Sequence, residues 1–399
     1  MQTISLASLK RTLSPTAVEL TALPPLALYI HFPWCVQKCP YCDFNSHTQK
    51  GGLPEDEYIA ALLADLESCL PSVWGRPVST IFMGGGTPSL FSASAIDTLL
   101  AGIRARIKLL PDAEITLEAN PGTFEADKFA GYRAAGVNRL SIGIQSFDDA
   151  KLKALGRIHG RDEALAAIEI AHRHFDNFNL DLMYALPEQT LEQALADIDQ
   201  AIALKPTHLS AYHLTLEPNT LFHRYPPALP DDDLAADMQD AIEARLAAAG
   251  YQHYETSAFA LPGRRARHNV NYWQFGDYLG IGAGAHAKIS FPDRITRQAR
   301  YKQPGEYLAR MAAGSAVQTE ETLTRAQLPF EFMLNLLRLT DGFALALYTE
   351  RTGLPLPTLL PQIERACSEG LLEREGDWVQ PTERGRRFLN TLLERFLAD

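Results

Sequence analysis

The 399-residue chain carries a formal net charge of −11, and 46% of its residues are apolar. The apolar share is enough for a sizeable core and excludes wholesale disorder. The acidity excludes a general nucleic-acid binder, which needs a basic stripe to displace counterions, and disfavours flat docking on an anionic membrane.

In chain order, the N-terminal MQTISLASLKRTLSPTAVELTALPP has no uninterrupted apolar run of signal-peptide length, so residues 1–25 read as an irregular lead on a cytoplasmic protein. No later stretch approaches the roughly 20 apolar residues of a membrane span, which leaves any membrane contact peripheral. From residue 26, short β-rich runs alternate with amphipathic stretches. The runs are LALYIHF from Leu26, TIFMGG from Thr80, EITLEAN from Glu114, RLSIGIQ from Arg139, NLDLMYALP from Asn179 and HLSAYHLTLEP from His208. ASAIDTLLAGIRARI and LEQALADIDQAIAL have helical periodicity. Strands separated by helices require right-handed parallel crossovers. Six such units predict an α/β fold, a partial (β/α)6 barrel over 26–250, with an open three-layer sheet as the alternative. Glu118, Gln145, Asp181 and the GGGTP run fall at or near strand C-termini, the rim where barrels bind ligands.

Residues 251–322 form a barrel-associated segment rich in Gly, Arg, Asn and Tyr. Residues 323–399 change character: helical periodicity, a hairpin in GLLEREGDWVQPTERG, and a last helix RRFLNTLLERFL predict a winged-helix-like module. Its acidic residues slightly outnumber its arginines, which favours a packing or lid role over nucleic-acid binding.

Three of the five cysteines lie within eight residues, in HFPWCVQKCPYCDF. That clustering implies a reducing compartment and a metal site rather than a disulfide framework. Four thiolates normally hold four irons; Cys35, Cys39 and Cys42 would hold three and leave one Lewis-acidic iron open to a methionine amine and carboxylate. Trp34, Tyr41 and Phe44 would wall the site from water. Structural zinc, with His47 or His31 as fourth ligand, is the competing reading. Cys69 shares a helical face with Tyr58, Leu62 and Leu66, and Cys367 shares one with Ile363 and Leu371, so both read as small apolar core residues.

The C-x3-C-x2-C loop after YIHFPWC, with GGGTP at Gly84 to Pro88, resembles the radical S-adenosylmethionine superfamily. The run from Leu26 to about Lys288 is similar to its coproporphyrinogen dehydrogenase-like branch, and the C-terminal module resembles that branch's own C-terminal domain. The resemblance implies a [4Fe–4S] cluster on the three cysteines, S-adenosylmethionine, and an electron donor for the cluster. It makes Gly85, Gly86 and Thr87 contacts to the methionine end, and gives Gln145, Asp181, Tyr29 and Tyr41 cofactor contacts. Glu118 offers a carboxylate to ribose hydroxyls or an amine; a solvated strand end is the bland alternative. Arg157 offers two N–H donors to a carboxylate, against the reading of an ordinary surface arginine.

Two departures narrow the branch. Coproporphyrinogen dehydrogenase has a further cysteine two positions after the third ligand, where this chain has Phe44, and it has a longer N-terminal arm. Both departures match the heme-chaperone group of that branch. RHNVNYW also matches that group's HNxxYW signature, with His268, Asn269, Tyr272 and Trp273. An imidazole can ligate iron and an aromatic pair can cover a porphyrin, while Arg264, Arg265 and Arg267 could pair with propionates. The expectation is a protein that binds heme and delivers it to respiratory acceptors. An oxygen-independent coproporphyrinogen III oxidase and a radical methyltransferase remain alternatives, so enzymatic turnover stays open. Read without the resemblance, RHNVNYW is a polar loop with one buried histidine.

Overall fold

The computed structural model describes residues 14–122 and 128–397. The first half of the expected irregular lead, residues 1–13, lies outside the described residues. The barrel begins at β1 (Leu26–Phe32), followed by α1 (Glu55–Val73), β2 (Val78–Gly85), α2 (Ala93–Arg106) and β3 (Leu109–Ala119). Next come α3 (Phe129–Ala135), β4 (Arg139–Gln145), α4 (Asp149–Ala154), α5 (Arg161–His174) and β5 (Phe178–Tyr184). The repeat closes with α6 (Leu191–Ala203), β6 (His208–His213) and α7 (Asp232–Ala248).

Segment 251–322 adds β7 (Gln252–Glu255), β8 (Ala258–Ala260), α8 (Arg267–Trp273), β9 (Asp277–Ile281), β10 (His286–Phe291), β11 (Arg294–Arg300) and β12 (Val317–Thr322). All twelve strands form one sheet, in the order β12-β11-β10-β9-β1-β2-β3-β4-β5-β6-β8-β7. The run from β9 through β6 is parallel and both its flanks are antiparallel. Its two end strands are not hydrogen-bonded to each other, so the barrel is partial.

The strands read as nearly continuous apolar runs because both faces are covered. In β1 every residue but Tyr29 is buried. Outward residues such as Leu28, Ile81, Ile115, Leu140 and Leu180 join helix residues Leu62, Leu99 and Ile168 in the main core. Alternation then turns Thr80, Glu114, Glu118, Ser141, Asp181 and His208 inward. Caps fix the helices locally: Ser92 Oγ accepts from Ala95 N at the start of α2, and Thr190 and Gln193 form a reciprocal capping box on α6.

The C-terminal module has helices Leu328–Leu336, Ala346–Thr352 and Leu360–Ser368 and a hairpin of Leu372–Glu375 with Trp378–Pro381. Phe343–Ala344 completes a three-stranded sheet. The expected single last helix is broken into Glu383–Arg387, Leu389–Leu393 and a 3-10 turn at Glu394–Phe396. Val18 and Leu20 of the lead pack into this module's core. Among the described residues no helix is long and apolar enough to cross a membrane.

Candidate cofactor site

A cavity of about 360 Å³ opens at the C-terminal ends of the parallel strands. Cys35, Cys39, Cys42, Tyr41, Gly85, Gly86, Thr87, Glu118, Gln145, Arg157 and Asp181 all line it. One set of residues scattered over about 150 positions thus meets at one rim, as expected from their strand-end placement.

The cysteine loop is held at both ends. Trp34–Cys35 pairs in parallel with His47–Thr48. Lys38 Nζ donates to the carbonyls of Phe44 (3.0 Å) and Ser46 (3.2 Å), drawing the loop closed. The three thiols are half-buried and unbridged. Burial raises the pKa of Cys35, an effect opposed by the Thr87 hydroxyl, whose Oγ1 lies 3.5 Å from its sulfur. His31 is not placed as a ligand: Nδ1 lies 3.0 Å from Tyr29 Oη, and Nε2 is 2.8 Å from the Asn45 carbonyl. His47 Nε2 likewise faces Asn45 Oδ1, at 3.2 Å. The two imidazoles that a zinc site would recruit are therefore turned to Asn45. Among the described residues no three His, Cys, Asp or Glu side chains converge closely enough for a single ion. Three thiolates on a cluster bind separate irons and need no such convergence. Tyr41 lines the cavity and meets Phe222 at a tilt, while Trp34, which meets Tyr58 edge-on and Phe91 at a tilt, is not on the cavity wall. Phe44 lines the cavity at its mouth, where it is 61% exposed.

The glycine run needs its missing β-carbons. At Gly86 a Cβ would lie 2.6 Å from the Trp34 carbonyl oxygen and 2.7 Å from that of Phe32. Gly85 has φ +110°, and a Cβ there would meet the His31 ring at 2.4 Å. Its amide donates to Glu118 Oε2 at 3.1 Å. Burial, reinforced by the charge of Asp181, pushes the Glu118 pKa up to about 7, against the opposing pull of the Gly85 amide and Arg139. Burial raises Asp181 as well, opposed by hydrogen bonds from Ser141 and Asn179.

Arg157 is no ordinary surface arginine. Nη2 donates to Asn120 Oδ1 (2.7 Å) and to the Gly143 carbonyl (2.9 Å), and Nη1 approaches Cys39 Sγ at 3.6 Å. Its Nε is buried with no hydrogen-bond partner among the described residues. Asn120 Nδ2 donates in turn to Thr87 Oγ1 at 3.0 Å, so Arg157, Asn120 and Thr87 link Cys39 to Cys35. Gln145 ends β4 with φ 67°. That strained turn is pinned by Asp197 of α6, which accepts from Ser146 Oγ and Phe147 N, both at 2.7 Å.

Sequence reasoning missed Asn120, Ser141 and Tyr212, which also line the cavity. Each sits at or beside an inward strand position, a signal available once the strand register is known. Tyr29 is the one expected contact not on the cavity wall; it stacks on Phe82 with its hydroxyl on His31.

The RHNVNYW segment is a helix, α8, and lies at the opposite end of the barrel. Its first amides, of Arg267 and His268, each donate at 3.1 Å to one oxygen of Glu114. His268 is 7% exposed and enters the barrel, with Nδ1 3.0 Å from Thr80 Oγ1 and its ring over Phe82. Burial, helped by the Arg139 charge, lowers its pKa to about 3. Asn269 is half-buried. Tyr272 meets Trp273 and Tyr278 edge-on or tilted, and Trp273 packs on the C-terminal module under Arg338. Arg265 pairs with Asp341 and Arg267 with Asp112, so these two arginines already have carboxylate partners. Along β2, Thr80 and Gly85 are five residues apart, so the motif lies roughly 16 Å from the glycine run.

Residues 29–201 match the Radical SAM superfamily, and residues 323–388 match the HemN C-terminal domain. The chain is 53% identical over 382 residues to the heme chaperone HemW of Escherichia coli, covering 95% of this chain and 100% of that one. It is 50% identical over 383 residues to the heme chaperone HemW of Haemophilus influenzae, covering 94% and 99%. The structure superposes on coproporphyrinogen III oxidase (HemN) from Escherichia coli, a radical SAM enzyme, with a TM-score of 0.80 over 98% of this chain and 93% of that one. Sequence identity there is 24%, so this likeness speaks for the fold. On these matches the chain belongs to the radical SAM superfamily, in the HemN-like family with the HemW proteins, whose cofactors are a [4Fe–4S] cluster and S-adenosylmethionine.

Proposed function

We propose that this protein is a cytoplasmic heme chaperone that binds heme and hands it to heme-requiring acceptors, those of respiration among them. The observation that carries the reading is the 53% identity to a relative named as a heme chaperone, over nearly the full length of both chains. Phe44, where coproporphyrinogen dehydrogenase has a further cysteine, supports it over propionate decarboxylation. The four units expected from the sequence (1–25, 26–250, 251–322 and 323–399) serve as its working division.

In this reading Cys35, Cys39 and Cys42 hold the cluster, and the donor set fits: three soft thiols on one loop line one cavity beside a buried, partly unpaired guanidinium. When bound, the cluster supplies an electron and an open iron beside S-adenosylmethionine, fed by an electron donor. Gly85, Gly86 and Thr87 admit the methionine end. Arg157, which lines the cavity, offers its guanidinium charge to a carboxylate, and Glu118, Gln145 and Asp181 present polar groups toward the nucleoside. Tyr41 walls the cluster side, and Tyr29 braces His31 behind the glycines.

Heme, the cargo, is assigned to α8, through His268 with Asn269, Tyr272 and Trp273. Thr80 engages Nδ1, leaving Nε2 as the nitrogen to meet iron. Because His268 is buried, ligation requires α8 to swing its imidazole out of the barrel. The test is anaerobic heme titration of cluster-loaded wild type and His268→Ala, followed by transfer to an apo acceptor. Absence of heme binding by wild type defeats the proposal. Cys35-dependent conversion of coproporphyrinogen III to protoporphyrinogen, with release of carbon dioxide, replaces it with the oxidase reading.

A further inference from the structure

One continuous hydrogen-bond chain crosses the barrel interior from the cavity to the start of α8. Asn179 Nδ2 donates to Asp181 Oδ1 at 2.8 Å. Asn179 Oδ1 is 2.7 Å from His208 Nδ1, His208 Nε2 is 2.8 Å from Tyr254 Oη, and Tyr254 Oη accepts from the Ala266 amide at 3.2 Å. Ala266 is the N-cap of α8. The three links beyond Asp181 avoid bulk water: Asn179, His208, Tyr254 and Ala266 are at most 2% exposed.

One donor assignment satisfies every link. A carboxylate accepts, so the Asn179 amide nitrogen must face Asp181 and its oxygen must face His208. His208 then carries its proton on Nδ1 and accepts at Nε2 from the Tyr254 hydroxyl, whose oxygen receives the Ala266 N–H. Every donor therefore points toward Asp181. Such a chain is cooperative: each bond polarises the next, so a change at one end alters the strength of the bonds along its length.

The second observation is the burial of His268. Bringing Nε2 to a heme iron displaces α8, and that displacement takes the Ala266 amide from Tyr254. A ligand hydroxyl on Asp181 holds the other end of the same chain. We propose that the cavity and α8 are antagonistically coupled through Asp181, Asn179, His208, Tyr254 and Ala266, with His208 and Tyr254 as positioning residues. Filling the cavity with S-adenosylmethionine clamps α8 in place, and seating heme on α8 loosens S-adenosylmethionine. The inference rests on the assignments of both ligands made above.

The experiment uses cluster-loaded full-length protein under anaerobic conditions. S-adenosylmethionine is titrated calorimetrically with and without saturating heme, and the reciprocal titration is run. Heme should weaken S-adenosylmethionine by on the order of 10-fold, with the same factor in reverse, as linkage requires. Tyr254→Phe, which keeps the ring and removes the hydroxyl, should bring the factor to within about 2-fold of unity. A purely structural role for Tyr254 would shift stability and leave the factor intact.

Hydrogen exchange on the wild type serves as a second readout that needs no variant. S-adenosylmethionine alone should slow exchange in a peptide spanning 262–275. Two bound ligands with independent affinities, or mutual strengthening, overturn the coupling while leaving the chaperone reading standing. Failure of either ligand to bind overturns that reading itself, and the coupling with it.

Discussion

Thr80 Oγ1 sits 3.0 Å from His268 Nδ1, at the start of the strand that ends in Gly84 and Gly85. One β-strand therefore holds the His268 imidazole at one end and carries the glycine run of the cavity at the other. Between them Phe82 stacks on Tyr29 and meets the His268 ring at a tilt.

Thr80→Val keeps the shape of the side chain and removes the partner of His268. Leaving that buried nitrogen unsatisfied should cost about 1–3 kcal/mol, visible as a lower urea midpoint with an unchanged slope. Thr80→Ser should restore most of it. Because ligation takes His268 away from Thr80, heme affinity in the same titration should rise with Val and return with Ser. Equal heme affinity in all three proteins would remove His268 Nε2 from the iron.

Arg157 joins the Asn120 side chain, the Gly143 carbonyl and Cys39. Arg157→Lys keeps the charge but not the planar fork that makes those contacts. Calorimetry should show S-adenosylmethionine binding weakened by about 1.5–3 kcal/mol, a loss scaled to a charge-assisted hydrogen bond. Asn120→Ala should weaken it through the same brace, and the double variant should fall short of the sum because the two residues act as one unit.

How much of this was legible in the sequence follows from where the information sits. The strands from Leu26, Arg139 and His208 start where the apolar runs start, because a parallel barrel strand is covered on both faces and cannot hide its pattern. The cysteine loop stood out by its spacing, whereas GGGTP drew its meaning from its place at a strand end after that loop and from the family resemblance. Asn120 and Tyr212 were not singled out: a polar residue near a strand end gains its role only when neighbouring strands set its direction. The motif helix was also obscured. RHNVNYW is a weak, seven-residue helix former, and what holds it is Glu114, 153 positions before Arg267, accepting its first free amides. Local sequence cannot show a cap supplied from another strand. The break in the last helix, where Phe388 leaves helical geometry between two short helices, has no signal in the periodicity of RRFLNTLLERFL.

Gly86→Ala tests the cradle. Its Cβ would overlap two backbone carbonyls, of Phe32 and Trp34, which are held in place because Gly86 N and Thr87 N hydrogen-bond to them at 2.6 and 2.8 Å. Neither carbonyl can rotate away as a flexible side chain would, so the glycine run must shift relative to the cysteine loop. Reconstitution should still load iron and sulfide, since the cysteines are retained. The reduced cluster's EPR spectrum should no longer respond to added S-adenosylmethionine. An unchanged response would mean the ligand does not approach this backbone.

Glu118 gives the protein a pH dependence with a definite sign. Its carboxyl is held near pKa 7 in the folded chain against an ordinary 4.5, raised by burial and then by Asp181. Between those values the unfolded chain has released a proton that the folded chain keeps, so stability falls as pH rises from about 4.5 to 7 and then levels off. The 2.5-unit gap corresponds to roughly 3 kcal/mol, as an upper figure. Glu118→Gln removes the titration, so the ligand-free variant should be more stable than wild type above pH 7 and should lose that slope. Binding should move the other way. The ionised carboxylate is the better acceptor for ribose hydroxyls, so S-adenosylmethionine affinity of the wild type should rise from pH 6 to pH 8, while that of the Gln variant stays flat and weaker at the upper end. Paired urea unfolding and calorimetric titrations across that range read both effects. A wild type whose stability and affinity are both independent of pH would remove Glu118 from the ligand contacts and from the titration.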